Sequence, residues 1–330
     1  MIDLVDARHA RLGTPDVEAA TACAQKASTL SRRGLLRCVS GLLLPAALPA
    51  ISQPARPVLT KPIASTGEAL PLIGLGTWIT FNVGNDPAAH AERAEVMRNF
   101  FDAGGRMIDS SPMYGSSQPV IGEGLARLQP GPRLFSAEKV WTSSDGPRQI
   151  AESRRLWRVP RFDLLQVHNL LAWQEHLPML FEMKRKGELR YVGITTSEGR
   201  RHGEVERIMR TQPLDFVQVT YNILDREVEQ RILPLARERG IAVIANRPFR
   251  EGALIDAMKK HGLPPWAAEI DCANWAQYLL KFIVSHPAVT CAIPATSSVA
   301  HVRENMGAAR GRLPDEAMRR RMAQHAEKLA

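Results

Sequence analysis

Cysteine is scarce in this 330-residue chain, with four residues at Cys23, Cys38, Cys272 and Cys291. None stands in a C-x-x-C pair or beside histidines at ligand spacing, which speaks against a disulfide-built scaffold and against a zinc ribbon. Aromatic residues make up only 6% of the chain, and nowhere do they interleave with clustered lysine and arginine. The formal charge of +9 comes from 43 basic against 34 acidic residues, and segments such as REVEQR and RERG mix the two signs. That is the pattern of solvated helix faces rather than of a nucleic-acid stripe. Long apolar runs are missing as well. The apolar, uncharged run from Cys38 to Ile51 has 14 residues, short of the ~20 that a spanning helix needs. The chain also lacks a G-x-G-x-x-G turn: its first strand candidate carries only GLGTW, which argues against an open dinucleotide-binding sheet.

What the N-terminal part does have is a label. Residues 31–37 read SRRGLLR and lead directly into the apolar run, the length of a signal-peptide core behind a basic flank. The heptapeptide resembles the twin-arginine export consensus, with Leu35 and Arg37 at its two variable places. The resemblance implies an address read by the twin-arginine machinery, with only transient membrane contact, periplasmic delivery and transport of an already folded, cofactor-loaded protein. Residues 1–50 are read as this signal region, 51–62 as a Pro-rich linker and 63–330 as one catalytic domain.

From Leu72 onward, eight short apolar runs alternate with longer charged stretches of helical period. The strand candidates are Leu72–Trp78, Arg106–Asp109, Leu134–Val140, Phe162–His168, Tyr191–Thr196, Phe216–Tyr221, Ile241–Asn246 and Thr290–Ala295. In the helix candidate DREVEQRILPLARERG, Val228, Ile232, Leu235 and Ala236 share one face. Eight such β-then-α units define an α/β fold, a (β/α)8 barrel. The turn signal Ser65-Thr66-Gly67-Glu68 predicts an N-terminal β-hairpin on the barrel floor, and PDEAMRRRMAQHAEKL predicts a C-terminal extra helix.

In such barrels chemistry gathers at the C-terminal ends of the strands. The second strand ends in RMID, with Ser-Ser-Pro-Met-Tyr-Gly following at once, and the third and fourth end in AEKVW and LLQVHNL. These endings bring Asp109, Tyr114, Lys139 and His168 to one face. A phenol, with an ordinary pKa of about 10, is a weak proton donor. A neighbouring ammonium lowers that value, a carboxylate keeps the ammonium charged, and an imidazole can donate to a substrate oxygen.

GLGTW, the Asp109–Gly115 segment ending in SPMYG with IGEGL behind it, EKVW, LLQVHN, GITTS, QVTYN and IPATSSVAHVREN fall in the order found in the aldo-keto reductases. Over roughly Val58 to Ala309 the chain resembles that family. The resemblance implies hydride transfer between a nicotinamide cofactor and an aldehyde or ketone. Tyr114 would be the general acid, Lys139 and Asp109 its tuning pair, and His168 the residue that orients the carbonyl. It further implies cofactor contacts from Thr77, Trp78, Thr195, Thr196, Pro248 and Phe249. Gln218 would bind the carboxamide, Tyr221 would stack on the ring, and Arg250 would reach a phosphate. Thr296, Ser297, Arg303 and Asn305 would line the adenosine end. The cofactor expected is NADPH with NADH as the alternative, since Ala295 and His301 stand where NADPH-preferring members carry basic residues. Two other functions fit the same motifs: a cofactor-bound sensing subunit with little turnover, and an aldolase-like barrel using Lys139 as a Schiff base.

Overall fold

The computed structural model describes residues 56–329, apart from positions 129, 130 and 132. The Ser31–Arg37 motif and its apolar run lie outside these residues. The predicted hairpin is present: β1 (Thr60–Pro62) and β2 (Ala69–Pro71) pair antiparallel around a turn in which Gly67 takes a φ of 75°. It begins at Thr60, inside the stretch read as a linker. Ile63 and Leu70 are fully buried and cluster with inward-facing strand residues such as Phe135, Leu164 and Phe216. Lys61 fixes the hairpin in place, because its Nζ donates to the carbonyls of Val284, His286 and Val289, each at 2.7 Å.

Strands and helices then alternate. β3 (Leu75–Gly76) and α1 (Pro87–Asp102) are followed by β4 (Met107–Asp109) and α2 (Ser117–Arg127), then by β5 (Phe135–Val140) and α3 (Gly146–Trp157). β6 (Phe162–Val167) and α4 (Trp173–Arg185), β7 (Leu189–Thr195) and α5 (His202–Thr211), and β8 (Phe216–Thr220) and α6 (Ile232–Arg239) continue the pattern. β9 (Ala242–Asn246) is followed by two helices, α7 (Ala253–Met258) and α8 (Trp275–Ser285). β10 (Val289–Ala292) leads to α9 (Val299–Gly307) and α10 (Glu316–Glu327). The eight strands β3 to β10 form one parallel sheet in sequence order. Its two edges meet: the amides of Gly74 and Gly76 donate to Ala292 and Pro294, and the Ala292 amide donates back to Leu72. The sheet is therefore a closed barrel. Gly76 is required at the seam, because a Cβ there would stand 2.7 Å from the Ile293 carbonyl oxygen.

Both faces of the sheet are covered, so strands read as unbroken buried runs; all six residues of β5 are buried. Alternate residues nevertheless split between two cores. Phe135, Ala137, Leu164 and Phe216 fill the barrel, while Val140, Leu165, Val217 and Val219 pack against the helices. Several helices begin at side-chain caps, as at Asp86, Asp145, Asn274 and Asp315.

One helix expectation is corrected. DREVEQRILPLARERG is not one helix but a 3-10 turn (Glu227–Glu229) followed by α6. Pro234 lacks an amide hydrogen and suits a first turn, where it stands in the helix that starts at Ile232. α8 starts after the Asn274 cap. Asp271, with a φ of 52°, ends a separate 3-10 turn before it.

Candidate active site

The sequence pattern put Asp109, Lys139 and His168 at strand ends, and the structure brings them together. Lys139 points into the barrel from β5 with its side chain wholly buried. Its Nζ lies 2.6 Å from Asp109 Oδ1, at the end of β4, and 2.7 Å from the Ser110 carbonyl oxygen. Asp109 Oδ2 accepts from Gln218 Nε2 at 2.9 Å and from Gln166 Nε2 at 3.3 Å. The Tyr114 ring stands over this pair, its centroid 5.0 Å from Lys139 Nζ. Trp78 holds the ring from one side at 4.9 Å between centroids, and His168 meets it edge-on at 5.7 Å.

Electrostatics follow from this arrangement. Burial raises the Tyr114 phenol above its ordinary value, and the Lys139 ammonium opposes that rise while Asp109 adds to it. Burial would lower Lys139, yet Asp109, Tyr114 and Glu138 together carry it above its ordinary value, so it stays charged. Burial, and next the Lys139 charge, push His168 down to about 2, so its imidazole is neutral. Its Nδ1 lies 2.7 Å from Ser111 Oγ, which also accepts from the Met113 amide at 3.2 Å. Assigned from these partners, the serine hydroxyl donates to Nδ1. The proton then sits on Nε2, which has no hydrogen-bond partner among the described residues and belongs to a residue lining the cavity.

The cavity above these residues holds about 510 Å³. It runs from Trp78, Tyr114 and His168, past Thr195, Thr196 and Gln218, along Pro248 and Phe249, to Thr296 and Asn305. Thr77 also lines it while donating to the Asp109 carbonyl at 2.9 Å. At the far end α9 presents its N-terminus, with Ser298 as cap. An elongated anionic dinucleotide fits this shape and donor set: amide and hydroxyl groups along the channel, and helix N–H groups at the end.

Four expected cofactor residues are not brought there. Tyr221 is corrected to an outer-core residue. It stands three positions after Gln218, so strand alternation turns it to the opposite face, where its hydroxyl bonds Glu229 and accepts from Arg319 Nη2 at 2.6 Å. Arg250 forms a two-point ion pair with Asp225 instead of lining the cavity. Arg303 donates to Asn99 Oδ1 at 3.0 Å, toward α1. Ser297 is exposed and does not line the cavity. Sequence reasoning passed over Asn246, whose Nδ2 donates to the Thr196 carbonyl at 2.9 Å, and Arg247, which bridges Glu198 at 3.2 Å and Glu251 at 2.6 Å. Both follow the strand-end rule that found the others. Ser111 lay in plain view between Asp109 and Tyr114.

A buried Asp–Lys pair under a tyrosine, a neutral histidine beside it and an elongated channel at a barrel mouth define a nicotinamide-dependent oxidoreductase. Residues 72–325 match the model of the aldo/keto reductase family, and the chain belongs to that family. It is similar to methylglyoxal reductase YeaE of Escherichia coli, 27% identical over 256 residues that make up 74% of this chain and 88% of the relative. It is also similar to an NADH-specific methylglyoxal reductase of the same organism, 26% identical, with 62% and 71% covered. Among solved structures, an aldo/keto reductase from Klebsiella pneumoniae in complex with NADP and acetate is 25% identical, with a TM-score of 0.66 and 78% and 93% covered.

Proposed function

We propose that this chain is an exported, NADPH-dependent reductase of small aldehydes or ketones. The observation that carries the chemistry is the Asp109–Lys139 pair buried directly beneath the Tyr114 ring. When bound, the nicotinamide supplies the hydride. The chain's own residues handle the oxygen and the proton. His168 Nε2–H donates to the carbonyl oxygen and stabilises the charge that develops there. Tyr114 passes its phenolic proton to that oxygen, and Lys139, kept charged by Asp109, lowers the cost of the phenolate left behind. Gln218, Thr195 and Asn246 are the polar groups nearest the nicotinamide end, and Thr296, Asn305 and the α9 N-terminus would take the adenosine end. The NADP complex of the Klebsiella relative favours NADPH. With Arg303 turned to Asn99, the 2′-phosphate would rest on helix amides, Thr296 and His301.

Export rests on the SRRGLLR motif followed by the apolar run. A cofactor loaded in the cytoplasm would explain transport in the folded state. Replacing Tyr114 by Phe should lower carbonyl reduction roughly 10²–10⁴-fold while NADPH still quenches tryptophan fluorescence; equal activity would remove the acid role. Fractionation of an Arg32→Lys, Arg33→Lys variant should find it in the cytoplasm, and unchanged export would refute the leader's assignment. Titration with NADPH and NADH in parallel tests the cofactor preference.

A further inference from the structure

Behind Lys139, on the opposite face of β5, lies a second buried carboxylate. Glu138 is fully buried, and all its partners are donors. Its Oε1 accepts from the Lys139 amide at 2.7 Å, and its Oε2 accepts from Trp157 Nε1 at 2.7 Å and Gln118 Nε2 at 3.0 Å. The Gln118 amide nitrogen also donates to Ser153 Oγ at 2.8 Å. An indole and a backbone N–H cannot be turned into acceptors, so these two fit a carboxylate, while the Gln118 amide can turn its oxygen to accept from the protonated acid. Yet among the described residues no ammonium or guanidinium touches it, unlike Asp215, which is held by Lys184, or Asp109, which is held by Lys139. A buried carboxylate surrounded only by neutral donors is expensive to keep. The groups packed against it are Gln118 from α2, Trp157 and Ser153 from α3, and Lys139 on its own strand. The charged and titratable groups across the strand are Lys139, Asp109 and Tyr114.

We propose that Glu138 is a positioning residue for the proton transfer, whose own charge, delivered through the strand to Lys139 and Tyr114, sets how readily Tyr114 gives up its proton. The inference rests on the reading of Tyr114 as the acid. With Glu138 ionised, the buried set of Asp109, Lys139 and Glu138 carries one net negative charge, which disfavours the phenolate. With Glu138 protonated the set is neutral and the phenolate is easier to form. Burial raises Glu138 to about 7, the Lys139 charge opposing, so both forms exist near neutrality. The sign follows: as pH rises through this range Glu138 ionises, Tyr114 becomes a weaker acid, and carbonyl reduction slows.

The test is the pH profile of kcat for reduction of one aldehyde, in the wild type, Glu138→Gln and Tyr114→Phe. The wild type should lose roughly two- to tenfold in kcat across neutrality. Glu138→Gln should lose that inflection while the KM for the aldehyde and the Kd for NADPH hold within about twofold. A Glu138→Gln enzyme slowed equally at every pH, with the inflection kept, would mean a merely structural residue and overturn the proposal. A second measurement needs no variant at position 138: the Trp157 indole N–H resonance of the wild type should titrate between about pH 5 and about 9, and a fixed resonance would overturn the proposal equally. A fully active Tyr114→Phe enzyme would instead remove the acid assignment. An inactive one beside an unaltered Glu138→Gln profile would remove only the role of Glu138.

Discussion

Replacing Lys139 by methionine separates two jobs that the lysine performs at once. Its side chain is wholly buried and its partner Asp109 is 2% exposed, at 2.6 Å. Methionine keeps the length and removes the charge. Asp109 would keep its two amide donors, Gln218 and Gln166, but lose its ionic partner. Breaking a buried pair from one side leaves an uncompensated charge, which destabilises by about 3–5 kcal/mol. In a domain of this size each kcal/mol lowers Tm by about 2–4 °C, so the transition should fall by roughly 10 °C. The double variant Lys139→Met, Asp109→Asn removes the stranded charge. An asparagine amide there would also give a donor to Gln166 Oε1, which is buried without a partner among the described residues. Stability should then return to within ~1–2 kcal/mol of the wild type, the usual finding when a buried pair is replaced as a unit. Activity should not return, because Tyr114 still lacks its cation. Urea unfolding followed by tryptophan fluorescence gives the first quantity, and NADPH consumption with an aldehyde gives the second. A double variant as unstable as the single one would refute the pairing argument. One that reduces the aldehyde near the wild-type rate would refute the role given to the ammonium.

The same geometry yields further expectations. His168→Gln should lower kcat about 10²–10³-fold with little change in NADPH affinity, the loss typical of one oxyanion donor, checked by steady-state kinetics and fluorescence titration. His90 is bonded on both ring nitrogens, to Glu123 Oε2 at 2.6 Å and to the Gly84 carbonyl at 2.9 Å, and a ring with two acceptors must be doubly protonated. Its pKa is raised, by the Glu123 bond first, so the stability it adds is complete below its ordinary 6.5 and fades as pH rises through the higher folded value. The wild-type Tm should therefore drop by about 1–2 °C more than that of His90→Gln between mildly acid and alkaline buffer. Gly122→Ala should destabilise by about 1–3 kcal/mol in urea, since its Cβ would stand 2.0 Å from the Leu156 carbonyl oxygen and force α2 off α3.

How legible all this was depends on the range of the interaction. The barrel could be read because each β-then-α unit is local: an apolar run, a turn, an amphipathic stretch. The acid site could be read because the strand-end rule converts local position into spatial proximity, bringing Asp109, Lys139 and His168 together across two strand pairs. The same rule applied without strand alternation misplaced Tyr221: it directly follows the last residue of β8, an odd number of residues after Gln218, and packs in the outer core while Gln218 faces the cavity. Arg250 and Arg303 failed for another reason. An arginine's target is whichever acceptor the fold brings near, and Asp225 and Asn99 lie far from them in sequence. Glu138 was invisible for the same reason: the residues that fix its state come from α2 and α3, and nothing in SAEKVW announces them.

Burial of a lysine is by itself a poor guide to chemistry here, and that bears on the Schiff-base alternative. Lys281 is fully buried and donates to the carbonyls of Ile270, Arg310 and Arg312, and Lys61 does the same at the barrel floor. Both ammonium groups tie loose chain ends together by neutral acceptors, and for both, burial lowers the pKa, to about 8 for Lys61. Lys139 differs in its partner, not in its burial: a full carboxylate at 2.6 Å holds it charged, and its pKa moves the other way. Attack on a carbonyl carbon needs the neutral amine, so the site stabilises the form of Lys139 that cannot form an imine. Incubation with an aldehyde and borohydride should therefore leave Lys139 unmodified on peptide mapping, even where exposed lysines such as Lys259 are alkylated. A stoichiometric adduct on Lys139 would instead mean that the Asp109 pair opens during turnover, and the proton-transfer scheme built on it would have to be abandoned.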